Sequence, residues 1–171
     1  MADKPSDVGS RKALSPFWFM NHFGNPLVGL ILSSPLHPLL SQSLLVLSYR
    51  GRKSGKRFDI PVEYAQSGET LCILPGRPEQ KTWWRNFRGG TPVDILLRGH
   101  RLHGLASLLD GREDAFALAQ ALAIYLRRFP ASSASFGVHP DPEGKFESAE
   151  LSRVAKCLVI VRVQVEGAAV Y

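Results

Sequence analysis

Cysteine is scarce, with two in 171 residues, and no Cys-x-x-Cys pair or His-rich spacing accompanies it. That excludes a disulfide framework and any metal centre with a familiar ligand pattern. Cys72 and Cys157 each lie in an apolar run. Two buried thiols are therefore expected, as suits a reducing cytoplasm. His100 and His103 would fall on opposite faces of a strand, so they cannot share a metal. A Gly-x-Ser-x-Gly elbow is missing, and Cys72 has no histidine close in sequence, so neither common hydrolase nucleophile is visible. Long apolar runs are also missing: Phe17 to Leu47 is interrupted by His22, Pro26, Pro35, His37, Pro38 and Gln42. No bilayer-spanning helix is expected from it. Met1-Ala2-Asp3-Lys4-Pro5 does not read as a secretory leader. The expectation is a soluble cytoplasmic protein, at most peripheral to a membrane. Phe17, Trp18, Phe19, Met20 and Phe23 would form either an interfacial anchor or a helix docked on the core.

Acidic residues are outnumbered, 15 against 21 Lys and Arg, for a formal charge of +6. An anionic partner follows, and nucleic acid, an acidic membrane surface or a polyanionic cofactor all qualify. Length allows one domain with a real core. Residues 1–13 read as a disordered tail and 14–171 as a single domain opening with a helical segment, 14–42. Ser43 to Ser48 reads as a buried strand, and Phe58, Ile60, Val62 and Tyr64 alternate with polar residues as a half-buried one. A hairpin turn at Gln66-Ser67-Gly68-Glu69 leads to a strand at Thr70 to Leu74. A short helix over Lys81 to Phe87 follows, then a hairpin of Val93–Leu97 with Arg101–Leu109 turning at Gly99-His100. Asp110 and Glu113 suggest a capping box for a helix from Gly111 to about Arg128. Its apolar stripe is Ala115, Leu118, Leu122 and Leu126. A polar excursion, 129–152, precedes a last strand over Lys156 to Glu166. Successive antiparallel hairpins with one inserted helix indicate a mainly β, α+β chain closing as a small barrel.

Two constellations carry chemistry. The first is the turn Arg50-Gly51-Arg52-Lys53-Ser54-Gly55-Lys56-Arg57 between two strands. Glycine lets backbone approach an oxyanion, and Arg, Lys and Ser supply charge and donors. It is not a P-loop, because three residues rather than four separate Gly51 from Gly55 and Arg57 replaces Ser or Thr. A solvated basic hairpin is the bland alternative, and a phosphate cradle is the sharper one. The second is Leu74-Pro75-Gly76-Arg77 with Lys81-Thr82-Trp83-Trp84-Arg85-Asn86. Trp83 and Asn86 would share a helix face, one stacking on a planar ring and the other fixing a loop or accepting from a ring donor. One of Trp83 and Trp84 would plug the barrel end. Tyr64 and Tyr125 could donate protons but read first as core or surface residues.

The order of these pieces resembles the deazaflavin-dependent nitroreductase and quinone reductase family, within the split-barrel flavin-reductase superfamily. The resemblance runs from Asn25-Pro26-Leu27 through Leu44-Leu45-Val46-Leu47, Gly51-Arg52-Lys53-Ser54-Gly55 and Pro61 to Trp83-x-x-Asn86 and the next hairpin. It implies a split β-barrel of the flavin-reductase, pyridoxamine-phosphate-oxidase-like kind. It also implies hydride transfer from reduced 8-hydroxy-5-deazaflavin (coenzyme F-420) to a small acceptor such as a quinone or nitroaromatic. The implied cofactor set is Gly51, Arg52, Lys53, Ser54, Gly55, Lys56 and Arg57 for the phosphate and acidic tail. Pro61, Leu74, Pro75, Gly76, Arg77, Lys81, Trp83 and Asn86 would lie by the ring. No protein-borne catalytic residue is implied, since the cofactor carries the chemistry. Flavin mononucleotide (FMN) is the alternative ligand, and a non-enzymatic anion or nucleic-acid binder is the alternative of another class. A monomer or homodimer is compatible with the resemblance.

Overall fold

The computed structural model describes residues 42–167; the expected tail 1–13 and almost all of the segment 14–42 lie outside the described residues. Seven antiparallel strands form one sheet: β1 Leu44–Arg50, β2 Arg57–Glu63, β3 Ala65–Ser67, β4 Thr70–Ile73, β5 Thr91–Leu97, β6 His100–Asp110 and β7 Val159–Glu166. Their order is β2-β1-β5-β6-β7-β4-β3. The two edges, β2 and β3, are joined through Tyr64 alone, whose backbone N–H donates to the Ser43 carbonyl at 3.1 Å. The chain steps directly from one edge to the other, so the sheet must curl until its edges meet. Pro61 is tolerated in β2 because an edge strand can forgo a ladder donor. With its flanking helices this curled sheet is the split-barrel, flavin-reductase-like α+β fold.

Strand alternation builds two cores. Leu45, Leu47 and Tyr49 of β1 point inward with Val93, Ile95 and Leu97 of β5 and Val161 and Val163 of β7. The opposite faces of β3, β4 and β7 offer Ala65, Cys72 and Ile160 to helix α1, Ala115–Arg128. The expected stripe of α1 buries Leu118, Leu122 and Leu126 completely and gains Ala121 and Tyr125. Each fully buried leucine contributes about 1.5–3 kcal/mol of transfer free energy.

Several local expectations are corrected. The β5–β6 turn lies at Arg98-Gly99, not Gly99-His100; both residues have positive φ, 51° and 82°, and His100 already pairs with Leu97. That double left-handed geometry is what a two-residue hairpin of the right twist needs. The cap of α1 is Asp114, accepting from the Ala117 N–H at 2.9 Å, while Asp110 ends β6. The helix at Lys81 to Phe87 shortens to a 3-10 helix over Trp83–Phe87. The polar excursion contains a 3-10 helix, Pro130–Phe136, and a second α-helix, α2 Ser148–Ala155, which completes the helical core through Leu151 and Ala155. Cys72 is buried, but Cys157 is exposed in the connection after α2. Among the described residues no helix is long and apolar enough to cross a membrane.

Candidate functional site

The basic turn is a closed loop with a fixed shape. Arg50 pairs with Arg57 across the two strands, the Gly51 N–H donates to Lys56 O at 2.8 Å, and the Gly55 N–H donates to Gly51 O at 2.7 Å. A Cβ on Gly51 would come within 2.7 Å of Ser54 Oγ and 2.8 Å of Phe58 Cε2, so any larger residue requires those side chains to shift. Gly55 adopts φ +66°, the left-handed region that glycine occupies without strain. The Ser54 hydroxyl accepts from the Lys56 N–H at 3.3 Å. Among the described residues the N–H groups of Lys53 and Ser54 have no acceptor, and they sit at the tip beside two cationic side chains.

The turn is tied to the tryptophan helix. The Arg52 N–H donates to Asn86 Oδ1 at 2.9 Å, and Asn86 Nδ2 donates to Trp83 O at 2.8 Å. Thr91 Oγ1 donates to Asn86 O at 2.8 Å, which fixes the same residue from β5. In a 3-10 helix residues three apart eclipse each other, so Trp83 and Asn86 stand on one face. Trp84 is the buried member of the pair, its Nε1 donating to Pro78 O at 3.1 Å. Trp83 packs edge-on against buried Phe87 at 6.0 Å; Phe87 meets Tyr49, and Tyr49 stacks on Phe58 at 5.5 Å. This aromatic row underlies the site, and Tyr49 belongs to the core.

Trp83 and Ile60 line two neighbouring cavities at once. One, of about 910 Å³, is walled by Gly51, Arg52, Lys53, Ser54, Asn86 and three further arginines, Arg85, Arg88 and Arg112. Its described lining holds five cations and no carboxylate. The other, of about 850 Å³, is lined by Pro61, Leu74, Pro75, Gly76 and Lys81, and is closed on its far side by Tyr125, Arg128 and the 3-10 helix Pro130–Phe136. Within it the Tyr125 hydroxyl donates to Glu63 Oε2 at 2.7 Å. Burial pushes the Tyr125 hydroxyl far up, and the Glu63 bond adds to the effect. One cavity is thus cationic, the other largely apolar.

Eleven of the fifteen expected cofactor residues line these cavities; Gly55, Lys56, Arg57 and Arg77 do not. Gly55 and Lys56 shape the turn through their backbones. Arg57 lies on the outer face of the sheet, one residue out of phase with Phe58, and pairs with Asp59 at 3.2 Å and Asp94 at 3.5 Å. Asp94 also meets His103 Nδ1 at 2.9 Å. Hydrogen bonds from Ser48 and then Arg57 hold the Asp59 carboxyl below the usual range. Arg77 is exposed at φ 54°, in the turn after β4, and lines neither cavity. Arg85 lay within the expected tryptophan constellation without a role of its own, whereas Arg88 and Arg112 fell outside both constellations because they come from two separate segments. The visible signal was Asp110-Gly111-Arg112, which resembled a helix cap.

No family model matches the chain, and no curated protein matches it. Among solved structures, one described as a domain-swapped dimer superposes with a TM-score of 0.50 at 16% identity, covering 89% of this chain and 100% of that one. An F420-H2-dependent reductase, FDR-A, superposes with a TM-score of 0.48 at 16% identity, covering 73% of this chain and 95% of that one. The first of these likenesses establishes a shared fold.

Proposed function

We propose that this chain is a reductase that binds an anionic, flat-ringed redox cofactor, 8-hydroxy-5-deazaflavin, across the two cavities. The observation that carries the reading is the Arg52–Asn86–Trp83 connection. It ties the basic turn to the backbone of Trp83, whose indole walls both chambers. The donor set fits an acidic tail: two N–H groups without an acceptor among the described residues, Arg52 and Lys53 at the turn, and a Gly51 whose missing side chain leaves Ser54 and Phe58 unshifted. The second chamber fits a planar ring, with Ile60, Leu74 and Trp83 as apolar walls and Pro75-Gly76 at the strand end. When bound in its reduced form, the deazaflavin would supply the hydride, which a separate acceptor such as a quinone or nitroaromatic would take. The protein's part is to hold the tail, orient the ring against Trp83 and keep water from the acceptor.

The space beyond Trp83 toward Phe129 and Phe136 suits a small aromatic acceptor such as a quinone or nitroaromatic. Titrating the purified full chain with the deazaflavin, followed by its fluorescence, tests the reading. Saturable binding at micromolar cofactor is expected, and its absence overturns the proposal. Purification as a yellow protein that holds FMN instead would move the same site to the alternative ligand.

A further inference from the structure

Asp110 is a charged side chain buried within this fold, only 2% exposed, at the end of β6. Its Oδ1 accepts from the Arg112 N–H at 3.1 Å and Nε at 2.9 Å, and its Oδ2 accepts from Arg112 Nη2 at 2.6 Å and Arg88 Nη2 at 3.4 Å. The corner that carries it is tightly packed. The Gly111 N–H donates to Leu158 O at 3.0 Å, and a Cβ on Gly111 would lie 1.7 Å from Ala155 O. A buried carboxylate that binds two arginines could serve stability alone. Here, however, both arginines stay exposed, Arg112 at 70% and Arg88 at 46%, and both line the cationic cavity. Each guanidinium has five N–H donors. Asp110 takes two from Arg112 and one from Arg88, so most of the donors remain unused.

We propose that Arg88 and Arg112, held by Asp110, form a second oxyanion subsite in the cavity that also contains the basic turn. The ligand would then carry two separated anionic groups, phosphate or carboxylate, one on Lys53 and Ser54 and one on this arginine fork. Asp110 is a positioning residue in this arrangement, because it faces the arginines rather than the ligand. Arg85, stacked over Trp84 at 5.2 Å, adds charge to the same wall. The inference rests on the proposed reading of this cavity as the place where the anionic part of the ligand is held.

The test is calorimetric titration of the full chain at low salt with inorganic tripolyphosphate and, separately, citrate. Arg88→Gln/Arg112→Gln should weaken the better-bound of the two at least tenfold. The identity of that anion assigns the fork to phosphates or to carboxylates. Arg112→Lys keeps the charge but loses the fork, and should weaken binding severalfold without changing the fold. Asp110→Asn separates positioning from bulk charge. Loss of a negative charge alone would tighten anion binding, whereas loss of the arginine clamp weakens it. Unchanged affinity in the double variant, or unchanged affinity in Arg112→Lys, overturns the subsite. Should Asp110→Asn not fold, Arg112→Lys decides. Anion binding that depends on the fork, in a chain that ignores the deazaflavin, would sink the proposed cofactor and leave the subsite standing.

Discussion

The Arg52 amide donates to the Asn86 side chain across 34 positions of sequence, at 2.9 Å. The basic turn is therefore held by the helix that carries Trp83, and its shape is not set by its own residues alone. Asn86→Ala should cost about 1 kcal/mol of stability, the usual net value of such a bond. It should also weaken deazaflavin binding by an order of magnitude, because the turn then samples other positions. Thermal melts and the fluorescence titration measure the two effects. Loss of stability with intact affinity would show that the tether does not organise the site.

Arg52→Ala/Lys53→Ala should abolish measurable tail binding. Charge-assisted contacts are worth roughly 1.5–3 kcal/mol each, reduced here by solvent exposure. Because the pair is exposed, wild-type affinity should fall as salt rises through about 0.1 M, and the variant should lose most of that dependence. A double variant that binds the deazaflavin like the wild type would remove the turn from the site.

Two glycines separate local from global damage. Gly111→Ala would drive its methyl into the Ala155 carbonyl, a backbone atom that cannot yield, so the variant should fail to fold or lose more than about 4 kcal/mol. Gly51→Ala meets the ends of the Ser54 and Phe58 side chains, which can shift, at a cost of about 1–3 kcal/mol. Urea denaturation should rank Gly51→Ala as the milder change.

The two thiols should react in sequence. Burial pushes the Cys72 thiol up to about 11, so at about pH 8 only ~0.1% of it is thiolate. Cys157 is exposed. One equivalent of iodoacetamide label should enter the native chain quickly, at Cys157, and the second only in denaturant. Peptide mapping would refute this if Cys72 labelled at a similar rate.

Acid should act partly through Asp110. The Arg112 hydrogen bonds hold its carboxyl below the usual range, opposing the effect of burial, and the charges of Arg112 and Arg88 act the same way. Its folded pKa lies below the unfolded one, so its contribution is complete above the unfolded value and is lost as pH falls through the folded value. Asp110→Asn should therefore be less stable at neutral pH but show a shallower decline from pH 7 to about 2, read as urea midpoints. Parallel pH profiles for the variant and wild type would contradict this.

Much of the barrel was legible because period-2 alternation and glycine turns are local signals. β1 and β4 follow their apolar runs closely, whereas β7 begins at Val159 rather than Lys156, and in β2 Phe58 is exposed rather than half-buried. The α1 boundary was misplaced because Asp110 and Asp114 are both credible caps in sequence; only the β6 ladder, which pairs Asp110 with Val159, excludes the first. The cationic wall was half visible. Arg52 and Lys53 advertise themselves by clustering, whereas Arg88 is brought to Arg112 by a carboxylate two residues from Arg112 but 22 from Arg88. The orientation of Arg57 needed the register, since it pairs with Arg50 and so shares its face.

The Tyr64 step between the sheet edges bears on how the chain acquires its structure. Because β2 leads straight to β3 on the far edge, the barrel wall between them is β1 and four strands made later, β5, β6, β7 and β4. β4 has only β3 as an earlier-made neighbour and waits for β7, the last strand, to pair Ile73 with Val161 and Leu71 with Val163. Such distant pairing makes for high contact order and slow closure. During synthesis Leu71 and Ile73 stay uncovered until β7 has left the ribosome, which is the interval in which this fold depends most on protection from aggregation.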